Sequence, residues 1–167
     1  MKFAITGGIG SGKSTVAEII KRKGYAVFSC DEIYKELLFD AEFKAKLSLN
    51  FDGIISADGS LNRSKLSEIV FNDKSALERL NALTHPVIME EVFKKSSGQK
   101  ISFTEVPLLF ESGLEKYFDG VIVVLRDKDK RIAAVSARDK IDRERVILRI
   151  KSQLNYENCD FAKYYVI

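Results

Sequence analysis

The sequence predicts an α/β fold: a parallel sheet covered by helices, with a mostly helical segment inserted between its second and third strands. Three observations predict it. Short apolar runs read as strands buried on both faces, a glycine-rich loop joins the first run to a helix, and the middle of the chain mixes charged and apolar residues at helical spacing. At 167 residues with 46% hydrophobic content, the chain has room for a core of its own.

Taken in order, residues 2–6 form a mostly apolar run closed by Gly7 and Gly8, the first strand. Val16, Ile19 and Ile20 predict a helix over residues 14–23, which Gly24 stops. Residues 26–30 (AVFSC) are the second strand, leaving Asp31 where a strand ends and a helix begins. Helical segments follow at 32–50, 63–71, 75–83 and 87–95, with a turn at 56–60. Thr84-His85-Pro86 opens the last of them, because proline is tolerated at the first helical position. Residues 100–109 are the third strand, ended by Pro107, and the β-branched run at 120–125 is the fourth. Amphipathic helices over 128–138 and 143–154 precede a fifth strand at 164–167. A parallel strand ordinarily runs on into a loop and a covering helix, so further residues are expected beyond Ile167 in preference to an edge strand.

The expected organisation is one compact unit. Residues 1–30 and 99–167 form the core, with a lid at about 127–155, and residues 31–98 form the insertion. The balance of 27 basic against 24 acidic residues is too even to imply a nucleic acid or an anionic membrane as main partner. Cys30 and Cys159 match no zinc spacing and no redox pair, which suits reduced thiols. No apolar run approaches the ~20 residues of a membrane helix, and MKFAIT passes straight into the glycine loop with no leader pattern. A cytoplasmic protein is expected, a monomer or a weak homo-oligomer.

The chemistry begins at GGIGSGKST, residues 7–15. Gly7, Gly12, Lys13 and Ser14 satisfy G-x-x-x-x-G-K-[ST] between a strand and a helix. Such a loop turns successive backbone N–H groups onto phosphate oxygens, the helix adds its positive end, the lysine reaches the β- and γ-phosphates, and the serine hydroxyl ligates Mg²⁺. A guanine-reading N/T-K-x-D is absent, and no D-x-x-G follows the third strand, so a switch GTPase is disfavoured. A small-molecule kinase needs a base and mobile cations besides the cradle. Asp31, at the carboxyl end of the second strand, suits a base or acceptor-orienting group, and equally an ordinary helix N-cap. Arg131, Arg138, Arg143, Arg145 and Arg149 stand on two helices joined by a polar hinge, the pattern of a lid. For most of these arginines a solvated face with i,i+4 pairs, such as Asp127 with Arg131, is the simpler reading; Arg138 beside the hinge is the exception.

The segments GGIGSGKST, VFSCDEIYKEL, LNRSKL, LNALTHPVI, VPLLFESGLEKYFDGVIVV, SARD and RIKSQ together resemble the dephospho-coenzyme A kinase family, in its order and over essentially the whole chain. The resemblance implies a three-layer P-loop sandwich of the nucleoside-monophosphate-kinase type: five parallel strands, a helical acceptor-binding insertion over 31–98, and a helical lid. It implies ATP-dependent phosphorylation of the ribose 3′-hydroxyl of dephospho-coenzyme A, with ATP and Mg²⁺ as cofactors. By the same resemblance Gly8, Ile9, Gly10, Ser11, Gly12, Lys13, Ser14 and Thr15 form the phosphate loop, with Ser14 on the metal. Asp31 is the base, Arg138 the lid arginine that stabilises the transferred group, and Lys35 (where the family usually has arginine), Arg63, His85 and Glu111 meet the acceptor, the alternatives being a surface lysine at Lys35 and a structural, helix-opening role for His85. Phe110 and Tyr117 are read as pocket wall or core, more often the latter. Ser29 stands where the family often carries an acid, Glu105 where it often has Asp, and the adenine-binding residues stay unassigned.

Overall fold

The computed structural model describes residues 1–167. Five strands, β1 (Lys2–Thr6), β2 (Ala26–Ser29), β3 (Ser102–Glu105), β4 (Gly120–Val123) and β5 (Tyr165–Val166), form one parallel sheet in the order β2-β3-β1-β4-β5. Seven helices accompany it: α1 (Lys13–Arg22), α2 (Cys30–Leu37), α3 (Ala41–Ser48), α4 (Arg63–Asn72), α5 (Lys74–Lys95), α6 (Lys128–Asp139) and α7 (Arg143–Lys151). The chain divides into two compact units, one made of Met1–Ser29 with Ser96–Ile167 and the other of Cys30–Lys95.

In the first unit β1 is central, and its second half is wholly buried: Ala4, Ile5 and Thr6 are each 0% exposed. Ile5 pairs with Glu105 on one side and with Ile122 on the other. Helix α1 lays Val16, Ala17 and Ile20 against Ile5, Val27, Phe103 and Ile122, so the predicted amphipathic stripe finds its sheet. From β1 the chain first goes to the β3 side and later to the β4 side, which makes the carboxyl end of β1 the switch point where ligands collect in open α/β sheets. The third and fourth strands are shorter than predicted, although the Val106 N–H still reaches the Ile5 carbonyl (2.9 Å) and the Val124 N–H the Thr6 carbonyl (2.8 Å). Strand β5 lies at the sheet edge beside β4, with Ile122 facing Tyr165.

The second unit is helical around Leu38, Phe43, Leu47, Phe51, Ile54, Leu66 and Ala76. Three expectations change here. Cys30 belongs to α2 and not to the second strand, so Asp31 sits inside the first helical turn and is not its N-cap. The helix expected over 32–50 is broken at Asp40, whose backbone is extended (φ −71°, ψ 132°) and whose carboxylate accepts the Phe43 N–H at 2.8 Å, a local cap that restarts the chain as α3. The helices expected over 75–83 and 87–95 are one, the 22-residue α5, with Pro86 inside it. His85 therefore opens nothing. An interior proline costs about 3 kcal/mol, and the helix carries on because buried Ala76, Thr84, Ile88, Met89 and Val92 lie on both sides of the proline. The turn at 56–60 forms as expected: the Ser56 N–H meets the Ser60 carbonyl (2.8 Å), and Asp58 accepts from the Ser60 N–H (3.0 Å) and hydroxyl (2.7 Å).

Candidate active site

The loop from Gly7 to Gly12 leaves β1 and enters α1 without a side-chain cap: Gly12 takes the N-cap position at φ 104°, a left-handed conformation that side chains resist. Gly10 is left-handed too (φ 77°), and a β-carbon there would lie 2.7 Å from the Arg131 carbonyl oxygen. Lys13 spans the loop, its ammonium donating to the carbonyls of Gly7 (2.9 Å) and Gly8 (3.3 Å). The helix start thus carries no side-chain cap at Gly12 while a cation stands over the loop, an arrangement that attracts phosphate.

Ser14 donates its hydroxyl hydrogen to Glu105 Oε1 at 3.0 Å. Glu105 ends β3 in register with both Ile5 and Ser29, so the longer acid in place of the family's usual Asp still reaches the loop. A hydroxyl and a carboxylate side by side are an all-oxygen donor pair, the kind of set that suits Mg²⁺ with phosphate and water completing its shell.

Next to the loop lies a cavity of about 570 Å³ lined by Gly8, Ser11, Leu125, Arg126, Arg131 and Tyr156, among others. The Ser11 hydroxyl is buried there without a hydrogen-bond partner. Arg131 was expected on a solvated face paired with Asp127. It is instead 4% exposed, with Nε donating to the Ile9 carbonyl (3.0 Å) and the guanidinium packed against Gly8. Asp127 is occupied as the α6 N-cap, accepting the Asp129 and Lys130 N–H groups at 3.0 and 3.1 Å. Burial pulls the Arg131 pKa down, against the opposing pull of Glu157 and Tyr156. Burial pushes the Tyr156 hydroxyl up to about 12, and that hydroxyl contacts Thr6 Oγ1 at 3.3 Å. Sequence reasoning missed Arg131 and Tyr156 as cavity residues. The one signal was that Arg131 shares a helical face with Val135, an arginine inside an apolar stripe.

Helices α6 and α7 meet at Asp139, whose carboxylate holds Arg138 (Nε to Oδ1, 2.7 Å) and Arg149 (Nη1 to Oδ2, 2.7 Å). The Arg138 hydrogen bond is the main reason the Asp139 pKa is lowered. Arg138 itself is 63% exposed in its side chain and so is free to exchange partners. Glu111 accepts the Leu154 N–H at 2.9 Å, a tie within the first unit. Phe110 stacks on Phe161 with centroids 5.5 Å apart and neighbours Tyr156 and Tyr164, which makes it a half-buried member of an aromatic cluster.

In the second unit a separate cavity of about 310 Å³ gathers Asp31, Tyr34, Lys35 and Arg63 over the apolar Leu38 and Leu66. Tyr34, raised by burial, also feels the Arg63 charge, which acts to lower it. Three residues singled out from the sequence, Asp31, Lys35 and Arg63, are thereby brought together. His85 does not line this cavity; it is half-buried in α5, and burial lowers its pKa.

A family model described as Dephospho-CoA kinase matches residues 1–166. A Dephospho-CoA kinase of Fusobacterium nucleatum is 38% identical over 160 residues, 94% of this chain and 83% of that protein. Among solved structures, a protein from Thermus thermophilus superposes with a TM-score of 0.86 at 32% identity, covering 99% of this chain and 86% of that one. Dephospho-CoA kinase from Campylobacter jejuni gives a TM-score of 0.67 at 30% identity, covering 100% and 88%. With a phosphate loop, an oxygen pair beside it and a match along nearly its whole length, the chain belongs to the dephospho-CoA kinase family.

Proposed function

We infer that the protein transfers the γ-phosphoryl group of ATP to the ribose 3′-hydroxyl of dephospho-coenzyme A, giving coenzyme A and ADP. The observation that carries this reading is the family match over residues 1–166. In the transfer, the acceptor oxygen forms a bond to the γ-phosphorus as the bond from that phosphorus to the β–γ bridging oxygen breaks, and the hydroxyl proton goes to the Asp31 carboxylate. The N–H groups at the start of α1 and the Lys13 ammonium hold the β- and γ-phosphates in line. Ser14 and Glu105 are the residues that would hold Mg²⁺, which when bound neutralises charge on the phosphates. Arg138 turns from Asp139 to the transferred group, where a cation offsets the developing charge. The cavity holding Arg131 and Tyr156 takes the nucleoside of ATP, the partnerless Ser11 hydroxyl being a polar group such a ligand would satisfy. Lys35 and Arg63 meet the acceptor's pyrophosphate, and the Leu38 and Leu66 floor suits the apolar parts of its arm.

The protein acts in the cytoplasm on a small-molecule substrate, without nucleic acid or membrane, as a monomer or weak homo-oligomer. No helix is long and apolar enough to cross a membrane. Coupled ADP release measured with Mg²⁺-ATP and a panel of acceptors tests the reading. Turnover is expected with dephospho-coenzyme A far above nucleoside monophosphates and sugar acids. A nucleotide or sugar acid that wins by orders of magnitude overturns it, and so does hydrolysis indifferent to acceptor.

A further inference from the structure

The segment that follows α7 is hydrogen-bonded to the phosphate loop. The Ile9 N–H donates to Gln153 Oε1 at 2.8 Å, and the carbonyl of the same residue accepts Arg131 Nε at 3.0 Å. Both hydrogen-bonding groups of one loop residue are thus held by side chains from distant parts of the chain. The Ile9 side chain packs with Ile132, Val135 and Val146, so α6 and α7 grip it as well. The neighbouring Leu154 N–H is held by Glu111 (2.9 Å), and Tyr156 meets Thr6 at 3.3 Å, which fixes the chain on the far side of Gln153.

A phosphate cradle works because its N–H groups already point inward before the ligand arrives; a loop free to turn must be ordered on binding, and affinity falls by that amount. Ile9 stands between Gly8 and the left-handed Gly10, residues with wide conformational freedom, so the two peptide groups flanking Ile9 gain from an outside hold. Arg131 supplies that hold on the carbonyl side and Gln153 on the N–H side. We propose that Gln153 is a positioning residue for nucleotide binding: by accepting the Ile9 N–H it presets the phosphate loop and links it to the α6–α7 hairpin.

The inference rests on the phosphate-cradle reading, and the experiment separates the two. Gln153→Met keeps the side-chain length and removes the acceptor, while Gln153→Glu restores an acceptor at the same reach. In the full chain, Gln153→Met is expected to raise the KM for ATP about tenfold, the scale of one lost hydrogen bond to a partly buried donor, and to leave the KM for dephospho-coenzyme A unchanged. Gln153→Glu is expected to bring the ATP KM back to within about threefold of wild type. An unchanged ATP KM in Gln153→Met, or an equal rise for both substrates, overturns the proposal. Should Gln153→Met not fold, amide exchange in the wild-type full chain reads the same bond. The Ile9 N–H is expected to exchange at least about 100-fold more slowly than an unstructured amide, and exchange at the unstructured rate overturns the assignment. Wild-type protein that does not bind ATP defeats the cradle itself, whereas binding that Gln153→Met leaves intact defeats Gln153 alone.

Discussion

Asp31 stands two residues past Ser29, in the first turn of α2, exposed on a cavity it shares with Lys35 and Arg63. Its neighbour Cys30 is buried, and burial with the adjacent Asp31 charge pushes that thiol up to about 12, so at neutral pH the carboxylate has no thiolate beside it. A helix-starting acid is ordinarily a stabilising device, since it faces the positive end of the helix. The alternatives predict different kinetics. As the base, Asp31→Asn keeps size and polarity but accepts no proton, and turnover falls by about 10²–10⁴-fold with ATP affinity little changed. As a helix ornament, the same change lowers the melting temperature slightly and leaves kcat alone. Steady-state kinetics with ATP titrated separately distinguish the two.

At the scale of elements, the α6–α7 hairpin turns on Lys140, the only residue other than glycine with positive φ (54°). A left-handed lysine costs about 1–2 kcal/mol, and the clasp of Asp139 by Arg138 and Arg149 holds the turn in place. Lys140→Gly relieves that strain and is expected to raise the melting temperature by about 2–4 °C for each kcal/mol gained in a chain this long. A fall would mean that the lysine side chain contributes more than its backbone costs. The same hairpin shows what was legible in the sequence. Its two helices are readable from local periodicity, as are β1, the phosphate loop and α1, because each depends on neighbours within a few residues. The burial of Arg131 was not readable, since it follows from α6 packing on a loop more than a hundred residues earlier. The passage of α5 through Pro86 depends likewise on burial along both halves of the helix, and the break at Asp40 on a single carboxylate choosing a cap over a solvent-facing position.

For the whole molecule, the candidate residues fall into two sets by unit. Those gathered around the phosphate loop, including Arg131 and Tyr156, belong to the unit of Met1–Ser29 with Ser96–Ile167, while Asp31, Lys35 and Arg63 line a cavity within Cys30–Lys95. Each unit has its own apolar cluster, around Ile5 in one and around Leu47 in the other, so each can tighten separately when a ligand binds. A ligand that binds only the folded state stabilises what it touches, by about 2.7 kcal/mol at a hundredfold excess over its Kd. Hydrogen exchange followed by mass spectrometry on the full chain reads that stabilisation segment by segment. Mg²⁺-ATP is expected to slow exchange over residues 7–15, 124–131 and 153–157, and dephospho-coenzyme A over residues 31–38 and 63–70. Protection by dephospho-coenzyme A that spares 31–38 and 63–70 would remove Lys35 and Arg63 from the acceptor site, and would count against Asp31 as the base, since it lines the same cavity.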